Sequence, residues 1–171
     1  MPNRVIAYII DAIILFVIFL VVNIVLGGIL PRATVVADPN NPLGFRVDQP
    51  IVTILIFALL NFAITAAYFV YSWTAMRGSP GMKVLGMQIG SERDGSTITI
   101  NQAFMRFLFL GAPFGIAQAL TGISSLGIII VIATIAYFIF LLVTTAQSPT
   151  KQGFHDKQAH TMVVKAARSV A

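Results

Sequence analysis

The sequence predicts an all-α membrane protein with four transmembrane helices, both termini in the cytoplasm, and a small cytoplasmic β element between helices 2 and 3. Three observations predict this class. Of the 171 residues, 57% are hydrophobic and only 10% are charged, whereas a soluble domain averages about 25% charged residues. Four apolar runs are long enough to cross a bilayer, which takes about 20 residues. Most lysines and arginines fall on one side of these runs.

The predicted spans form a single membrane domain over residues 1–171. They lie at residues 5–30, 51–75, 103–120 and 126–146. The first run is about twice as long as the apolar core of a signal peptide and contains an acid, so we expect it to be retained. In the third run, Pro113 cannot donate a backbone hydrogen bond to Phe109, which predicts a kink or break.

Basic residues set the predicted orientation, because cytoplasmic loops carry an excess of Lys and Arg. With the N-terminus inside, only Arg32 and Arg46 lie outside. The other basic residues lie inside or at the inner face: Arg4, Arg77, Lys83, Arg93, Arg106, Lys151, Lys157, Lys165 and Arg168. The sequence therefore predicts a multi-pass protein with both termini cytoplasmic.

The loops predict irregular structure outside and a β element inside. The outer loop, PRATVVADPNNPLGFRVDQP, is rich in Pro and Asn and is interpreted as irregular. The inner loop at 79–101 contains MKVLGMQIG and STITI, which are typical of short strands, with SERDG as the turn of a hairpin. In the cytoplasmic tail at 147–171, HTMVVK is a candidate third strand.

The composition also limits the chemistry. The chain has no cysteine, which excludes disulfides, thiolate metal sites and iron–sulfur clusters. The spacing of His155 and His160 does not match the i,i+4 spacing of a helical metal pair. The net charge of +5 comes without a basic stripe among aromatics, so nucleic acid is not an expected partner. No phosphate loop or serine nucleophile motif is present, and we predict no enzymatic activity, metal or cofactor.

One acid, Asp11, lies in the first span, RVIAYIIDAIILFVIFL. A carboxylate near the centre of a membrane helix costs about 2.5–3.5 kcal/mol, so Asp11 needs a partner or water. Arg4, Tyr8 and Asp11 share one helix face, with Asp11 about 10 Å deeper than Arg4. We expect Asp11 to pair with Arg106, and Arg4 to pair with Asp156. A structural clamp and an ion or proton site both fit this pattern.

The second and third spans each carry a patterned face. The second has a polar stripe formed by Asn61, Thr65, Tyr68 and Ser72. The third has a ridge of small residues formed by Gly111, Gly115, Ala119 and Gly122. The stripe predicts either interhelical hydrogen bonds or the lining of an ion pathway, and the ridge predicts close helix packing. A broken third span is also a feature by which transporters expose backbone to a substrate.

Four features follow one another along the chain: RVIAYIID in the first span, SPGMKVLGMQI after the second, an Arg opening the third, and QGFHDKQAHTMVV after the last. This order resembles the RDD family of bacterial membrane proteins, which is named for one arginine and two aspartates. The resemblance implies that Arg4, Asp11 and Asp156 are the defining residues. It also implies a location in the bacterial inner membrane and, for some members, cation/proton antiport.

Two functions of different classes remain open. In the first, the protein moves a small cation or proton, with Asp11 as the exchangeable site, the polar stripe along its approach, and His155 and Asp156 as a proton relay. In the second, it is a non-catalytic accessory or assembly subunit of a larger membrane complex. Because four spans rarely enclose a pathway, we expect a homo-oligomer or a larger complex in the lipid bilayer.

Overall fold

The computed structural model describes residues 2–40, 44–123 and 126–165. Most of these residues are helical, and two pairs of strands form small sheets. In chain order the elements are α1 (Pro2–Gly27), β1 (Thr34–Ala37), β2 (Phe45–Asp48), α2 (Ile51–Ala75), α3 (Pro80–Val84), β3 (Met87–Ser91), α4 (Ile100–Leu110), α5 (Ala112–Ile123), α6 (Gly127–Gln147), α7 (Phe154–Gln158) and β4 (Thr161–Lys165).

Long apolar helices occupy the predicted spans. Within the described residues, α1, α2 and α6 are each long and apolar enough to cross a membrane, and a bent helix pair raises the number to four if it counts as one span. The bounds of α2 are those predicted. The first helix ends at Gly27, before the predicted residue 30, because Gly27 and Gly28 are poor helix formers.

The predicted break in the third span is present. Helices α4 and α5 meet at Gly111 with a bend of 43°. Pro113 lies in the first turn of α5, where the missing N–H needs no partner. The carbonyl of Phe109, to which Pro113 cannot donate, instead accepts a hydrogen bond from the Tyr137 hydroxyl on α6. A side chain from the neighbouring helix thus replaces the lost backbone bond.

Four short elements, α3, β3, α7 and β4, form a layer that we call the cap. The cap lies where α1 and α4 begin and where α2 and α6 end. Strands β3 and β4 pair antiparallel, from Met87 opposite Lys165 to Ser91 opposite Thr161. The candidate strand HTMVVK therefore supplies β4. Arg168, counted above among the inner basic residues, lies outside the described residues.

The predicted hairpin at 79–101 is wrong in its second strand and at the start of its first, because residues 82–84 belong to α3 and β3 begins at Met87. STITI forms no strand and leads into α4. Thr99 is the N-cap of that helix, and its hydroxyl accepts a hydrogen bond from the Gln102 N–H at 3.2 Å. Thr favours both strands and helix N-caps, so α4 starts where the strand was predicted.

The loop between α1 and α2 also differs from its prediction. It is not irregular, because β1 and β2 form an antiparallel pair from Thr34 opposite Asp48 to Ala37 opposite Phe45. The prolines and asparagines that suggested an irregular loop lie mainly between and beyond the strands. The strands themselves carry the β-branched and aromatic residues that favour extended structure.

The hydrophobic core lies next to the cap. Its largest fully buried apolar side chains are Trp73 on α2, Phe107 on α4 and Ile89 on β3. By contrast, few residues are buried in the most apolar 18-residue stretch of each long helix. The buried share is 6% in α2, 6% in α6 and 17% in α1. The long helices therefore direct most of their apolar surface outward, as expected where lipid replaces water as the solvent.

Candidate functional site

Two buried carboxylates join the long helices to the cap. Asp11 on α1 is 2% exposed, and Asp156 on α7 is 0% exposed. A buried charge is tolerated only with compensating partners. The two carboxylates obtain those partners in different ways.

The carboxylate of Asp11 accepts hydrogen bonds from three donors. Its Oδ1 accepts from the Tyr68 hydroxyl at 2.8 Å and from the Gly81 N–H at 2.8 Å. Its Oδ2 accepts from the Ser79 hydroxyl. Ser79 is the N-cap of α3 and Pro80 is its first residue, so the sequence Ser-Pro-Gly leaves a free N–H that points at the carboxylate.

Gly81 allows α3 to approach α1 closely. A Cβ on Gly81 would lie 2.1 Å from the carbonyl oxygen of Ala7 and 3.1 Å from Cγ of Asp11. Any side chain here would push α3 away from the carboxylate. Sequence reasoning assigned Ser79, Pro80 and Gly81 no role at Asp11. The available signal was a Ser-Pro-Gly run, an N-cap pattern, directly after a span.

Asp156 is bound by two arginines. The Nη1 atom of Arg4 donates to Oδ2 at 3.1 Å, so the predicted pair of Arg4 and Asp156 is present. The Nη1 atom of Arg106 donates to Oδ1 and also to the Thr161 hydroxyl at 2.8 Å. The backbone N–H of Gly153 completes the set at 3.1 Å from Oδ2. One carboxylate thus connects α1, α4, α7 and β4.

The predicted pair of Asp11 and Arg106 is wrong. Arg106 binds Asp156 and lies over the ring of Trp73, with its guanidinium carbon 5.1 Å from the centroid. The carboxylate of Asp11 is already enclosed by donors from α2 and α3. Among the described residues, Asp11 therefore forms no ion pair.

His155 lies beside the bound Asp156. Its Nε2 atom is 3.5 Å from Oδ2 of Asp156, and its Nδ1 atom is buried without a partner among the described residues. Burial lowers the pKa of His155 well below its ordinary value, and the positive charges of Arg106 and Arg4 lower this pKa further. The imidazole is therefore neutral at pH 7.

The polar stripe of α2 does not act as one unit. Tyr68 binds Asp11, whereas the Thr65 hydroxyl donates to the carbonyl of Asn61 at 2.7 Å. The side-chain oxygen of Asn61 is buried and has no partner among the described residues. Ser72 is buried at 3% exposure near the end of α2. Only Tyr68 among these four makes a side-chain contact with the Asp11 carboxylate.

Two cavities lie along α1. The first, of about 130 Å³, includes Asp11 and runs between α1 and α6 next to the cap. The second, of about 430 Å³, lies between α1, α2 and the bend of α4 and α5, and is lined mostly by apolar side chains together with a few polar ones, including Asn61 and Gln118. Tyr8 and Phe69 line both cavities. Their rings therefore lie between the two cavities.

The small-residue ridge lies at the bend and along α5. Gly111 ends α4, and its N–H donates to the Phe107 carbonyl at 2.8 Å. A Cβ on Gly115 would lie 3.6 Å from the ring of Phe62 on α2, an ordinary contact. Ala119 is partly buried, and Gly122 lies in α5, where the structure describes its backbone only. The ridge packs against α2 at Gly115 without requiring a glycine there.

Two arginines and two aspartates thus connect the helices to the cap, and comparison with known families bears on this pattern. The family model described as "RDD family" matches residues 1–160. The chain belongs to the RDD family. No curated protein and no solved structure matches the chain.

The residues that define the RDD resemblance have distinct structural roles in this chain. Arg4, near the start of α1, and Asp156, on α7 of the cap, form an ion pair. Asp11 binds the start of α3, with no cation among the described residues. The two aspartates are therefore not equivalent, since only one has a counter-charge.

Proposed function

We propose that this RDD protein exchanges a small cation for a proton across the bacterial plasma membrane, with Asp11 as the exchangeable site. The observation that carries the proposal is the environment of Asp11. This carboxylate is buried in a membrane span and is hydrogen bonded but not paired with a cation among the described residues. An uncompensated charge at this depth is costly. Binding of either a proton or a cation neutralises it.

Two of the three groups that donate hydrogen bonds to Asp11 are hydroxyls, whose oxygen atoms suit a hard cation. The hydroxyls of Tyr68 and Ser79 both contact the carboxylate. A hydroxyl that donates to a carboxylate also has lone pairs, so both hydroxyls can rotate to coordinate a cation. Hard cations take oxygen ligands from carboxylates and other oxygen groups. A proton and a cation compete for the same oxygens, which couples their movements in opposite directions.

The larger cavity supports a route by which a cation reaches Asp11 from the end of the molecule opposite the cap. Its lining is mostly apolar but includes Asn61, whose buried oxygen has no partner among the described residues. Tyr8 and Phe69 lie between that cavity and the one that contains Asp11. In the proposed cycle these rings form the barrier that moves when the site changes access.

The charge distribution supports an orientation with both termini in the cytoplasm. Lys83, Lys157 and Lys165 lie in the cap, and Arg4 lies beside it. Arg32 follows the opposite end of α1. Because basic residues favour the cytoplasmic face, the cap would face the cytoplasm in the proposed cycle.

Ion flux tests the proposal. The purified chain is reconstituted into vesicles, a pH gradient is imposed, and Na⁺, K⁺ or Li⁺ is added while an internal dye reports pH. We expect at least one cation to collapse the gradient with the wild type and not with Asp11→Asn. Absence of cation-dependent flux from a wild-type sample that is folded and monodisperse would contradict the proposal.

Two further variants separate the ion site from a general effect on folding. Tyr68→Phe keeps the acid and removes one oxygen ligand, so we expect a higher cation concentration for half-maximal flux. Asp94→Asn is the matched control, because Asp94 is an exposed acid in the turn after β3. Its flux should equal that of the wild type.

A second candidate function is that of an accessory subunit, which the low burial of the long helices favours. In the most apolar 18-residue stretches of α1, α2 and α6, only 17%, 6% and 6% of the residues are buried. This leaves large surfaces for other membrane helices. Extraction into polymer nanodiscs without detergent, followed by native mass spectrometry, tests this function. A different polypeptide in fixed ratio to the chain favours an accessory role. Particles that contain only copies of this chain contradict it.

A further inference from the structure

A groove between α1 and α6 is accessible from the side of the molecule, next to the cap. Its α1 wall includes Val5 and Tyr8, and its α6 wall includes Phe138 and Leu142. These four side chains are between 37% and 42% exposed. The groove therefore faces the hydrocarbon of the bilayer, along about 10 Å of α1.

The end of the groove nearest the cap carries positive charge. Arg4 and Arg106 both line it, and Asp156 neutralises only one of these two charges. His155 also lines it and is uncharged at pH 7. The carboxylate of Asp11 faces the deeper part of the groove, about 10 Å along α1 from Arg4.

The guanidinium of Arg4 has donors to spare. Its one hydrogen bond to a described residue runs from Nη1 to Asp156. Its side chain is 20% exposed, whereas that of Arg106 is 3% exposed. An arginine presents five N–H donors in a fixed fork that matches phosphate oxygens. Arg4 can therefore bind an anion without releasing Asp156.

We propose that this groove binds one anionic phospholipid from the leaflet on the cap side, with the phosphate on Arg4 and an acyl chain between α1 and α6. Hydrocarbon suits the walls, because water in an apolar groove lacks hydrogen-bond partners. The positive end selects an anionic head group over a zwitterionic one, whose own cation would lie near Arg4. This inference does not depend on ion exchange, since lipid binding is measured without flux.

Native mass spectrometry of the full chain in detergent tests the proposal. Phosphatidylglycerol and phosphatidylcholine with identical acyl chains are titrated separately, and the lipids retained per chain are counted. We expect one phosphatidylglycerol to be retained in preference to phosphatidylcholine. In Arg4→Gln its binding should be about fivefold weaker, since a basic residue near an anionic lipid surface contributes about 1 kcal/mol. Lys157→Gln removes an exposed cation on α7 outside the groove and should bind like the wild type.

A second variant covers the case in which Arg4→Gln does not fold. Leu142→Trp fills the groove from the α6 wall and leaves every charge in place, so we expect it to lose the retained phosphatidylglycerol. Equal retention of the two lipids, or retention by Leu142→Trp, would overturn the proposal. So would equally effective displacement by inorganic phosphate, because the acyl chain would then contribute nothing. A lipid-free dimer that Leu142→Trp disrupts would also overturn it, since a second copy would occupy the groove.

Discussion

At the scale of single residues, the two buried aspartates differ in what balances their charge. Asp156 contacts two guanidinium groups, so its charge is matched by formal positive charges. Asp11 contacts two hydroxyls and one backbone N–H, which stabilise the anion without neutralising it. This difference makes Asp156 a structural connection, whereas the proposed exchange assigns the proton or cation to Asp11.

A double-mutant cycle distinguishes these two environments. Removal of one partner from a buried ion pair costs about 3–5 kcal/mol, so Arg106→Gln and Asp156→Asn should each lower the free energy of unfolding strongly and non-additively. Arg106→Gln combined with Asp11→Asn should be additive, because these side chains share no contact. Unfolding in mixed detergent micelles measures both cycles. Coupling between Arg106 and Asp11 instead would contradict the assigned partners.

Gly81→Ala tests the contact between α3 and α1. The new Cβ would lie 2.1 Å from the Ala7 carbonyl oxygen, and such overpacking costs about 1–3 kcal/mol. Gly127→Ala is the matched control, because no atom of the described residues lies within 4 Å of the added Cβ. We expect a lower melting temperature for the first variant and an equal or higher one for the second. Equal melting temperatures for the two variants would show that α3 does not lie close to α1.

At the scale of elements, sequence reasoning was accurate where a residue acts on its own helix. The apolar run at 51–75 gave the bounds of α2, and Pro113 gave the bend between α4 and α5. Pairing of distant elements was predicted only in part. HTMVVK was a candidate third strand and forms β4, but it pairs directly with Met87–Ser91, because STITI forms no strand. The Gly81 donor to Asp11 was missed because it is a backbone N–H, which residue type does not indicate.

Tyr137→Phe tests how the bend is stabilised. The variant removes the hydrogen bond to the Phe109 carbonyl, and interhelical hydrogen bonds in membranes average about 0.6 kcal/mol. In a Pro113→Ala background, residue 113 regains its N–H and can bond to that carbonyl, so the same change should cost less. Unfolding free energies of the four chains measure this dependence. An unchanged cost in the Pro113→Ala background would indicate that the hydroxyl does not replace the backbone bond.

The attachment of α7 should depend on pH through His155. The unfolded chain binds a proton on this histidine near pH 6.5, whereas burial and two guanidinium groups keep the folded imidazole neutral to lower pH. Because the unfolded state then binds more protons, stability rises with pH across this interval and falls as pH drops below about 6.5. Melting temperatures recorded against pH should show this loss in the wild type and a weaker loss in His155→Gln. Identical pH profiles would exclude His155 as its source.

At the scale of the whole molecule, the polar contacts and the apolar surface occupy different regions. The cap and the adjacent helix ends hold Asp11, Asp156 and both of the arginines that bind Asp156. The rest of the long helices is apolar and mostly exposed. Such a division suits a membrane protein whose buried polar contacts lie near one face. The proposed exchange then depends on whether Asp11 holds a proton or a cation.

Infrared difference spectroscopy of the reconstituted chain tests that question most directly. Spectra are recorded across a pH titration with and without the cation that supports flux, for the wild type and for Asp11→Asn. We predict a band of a protonated carboxyl group that disappears when the cation is added and is absent from the variant. A spectrum that the cation leaves unchanged, or a cation-sensitive band that persists in Asp11→Asn, would contradict exchange at Asp11.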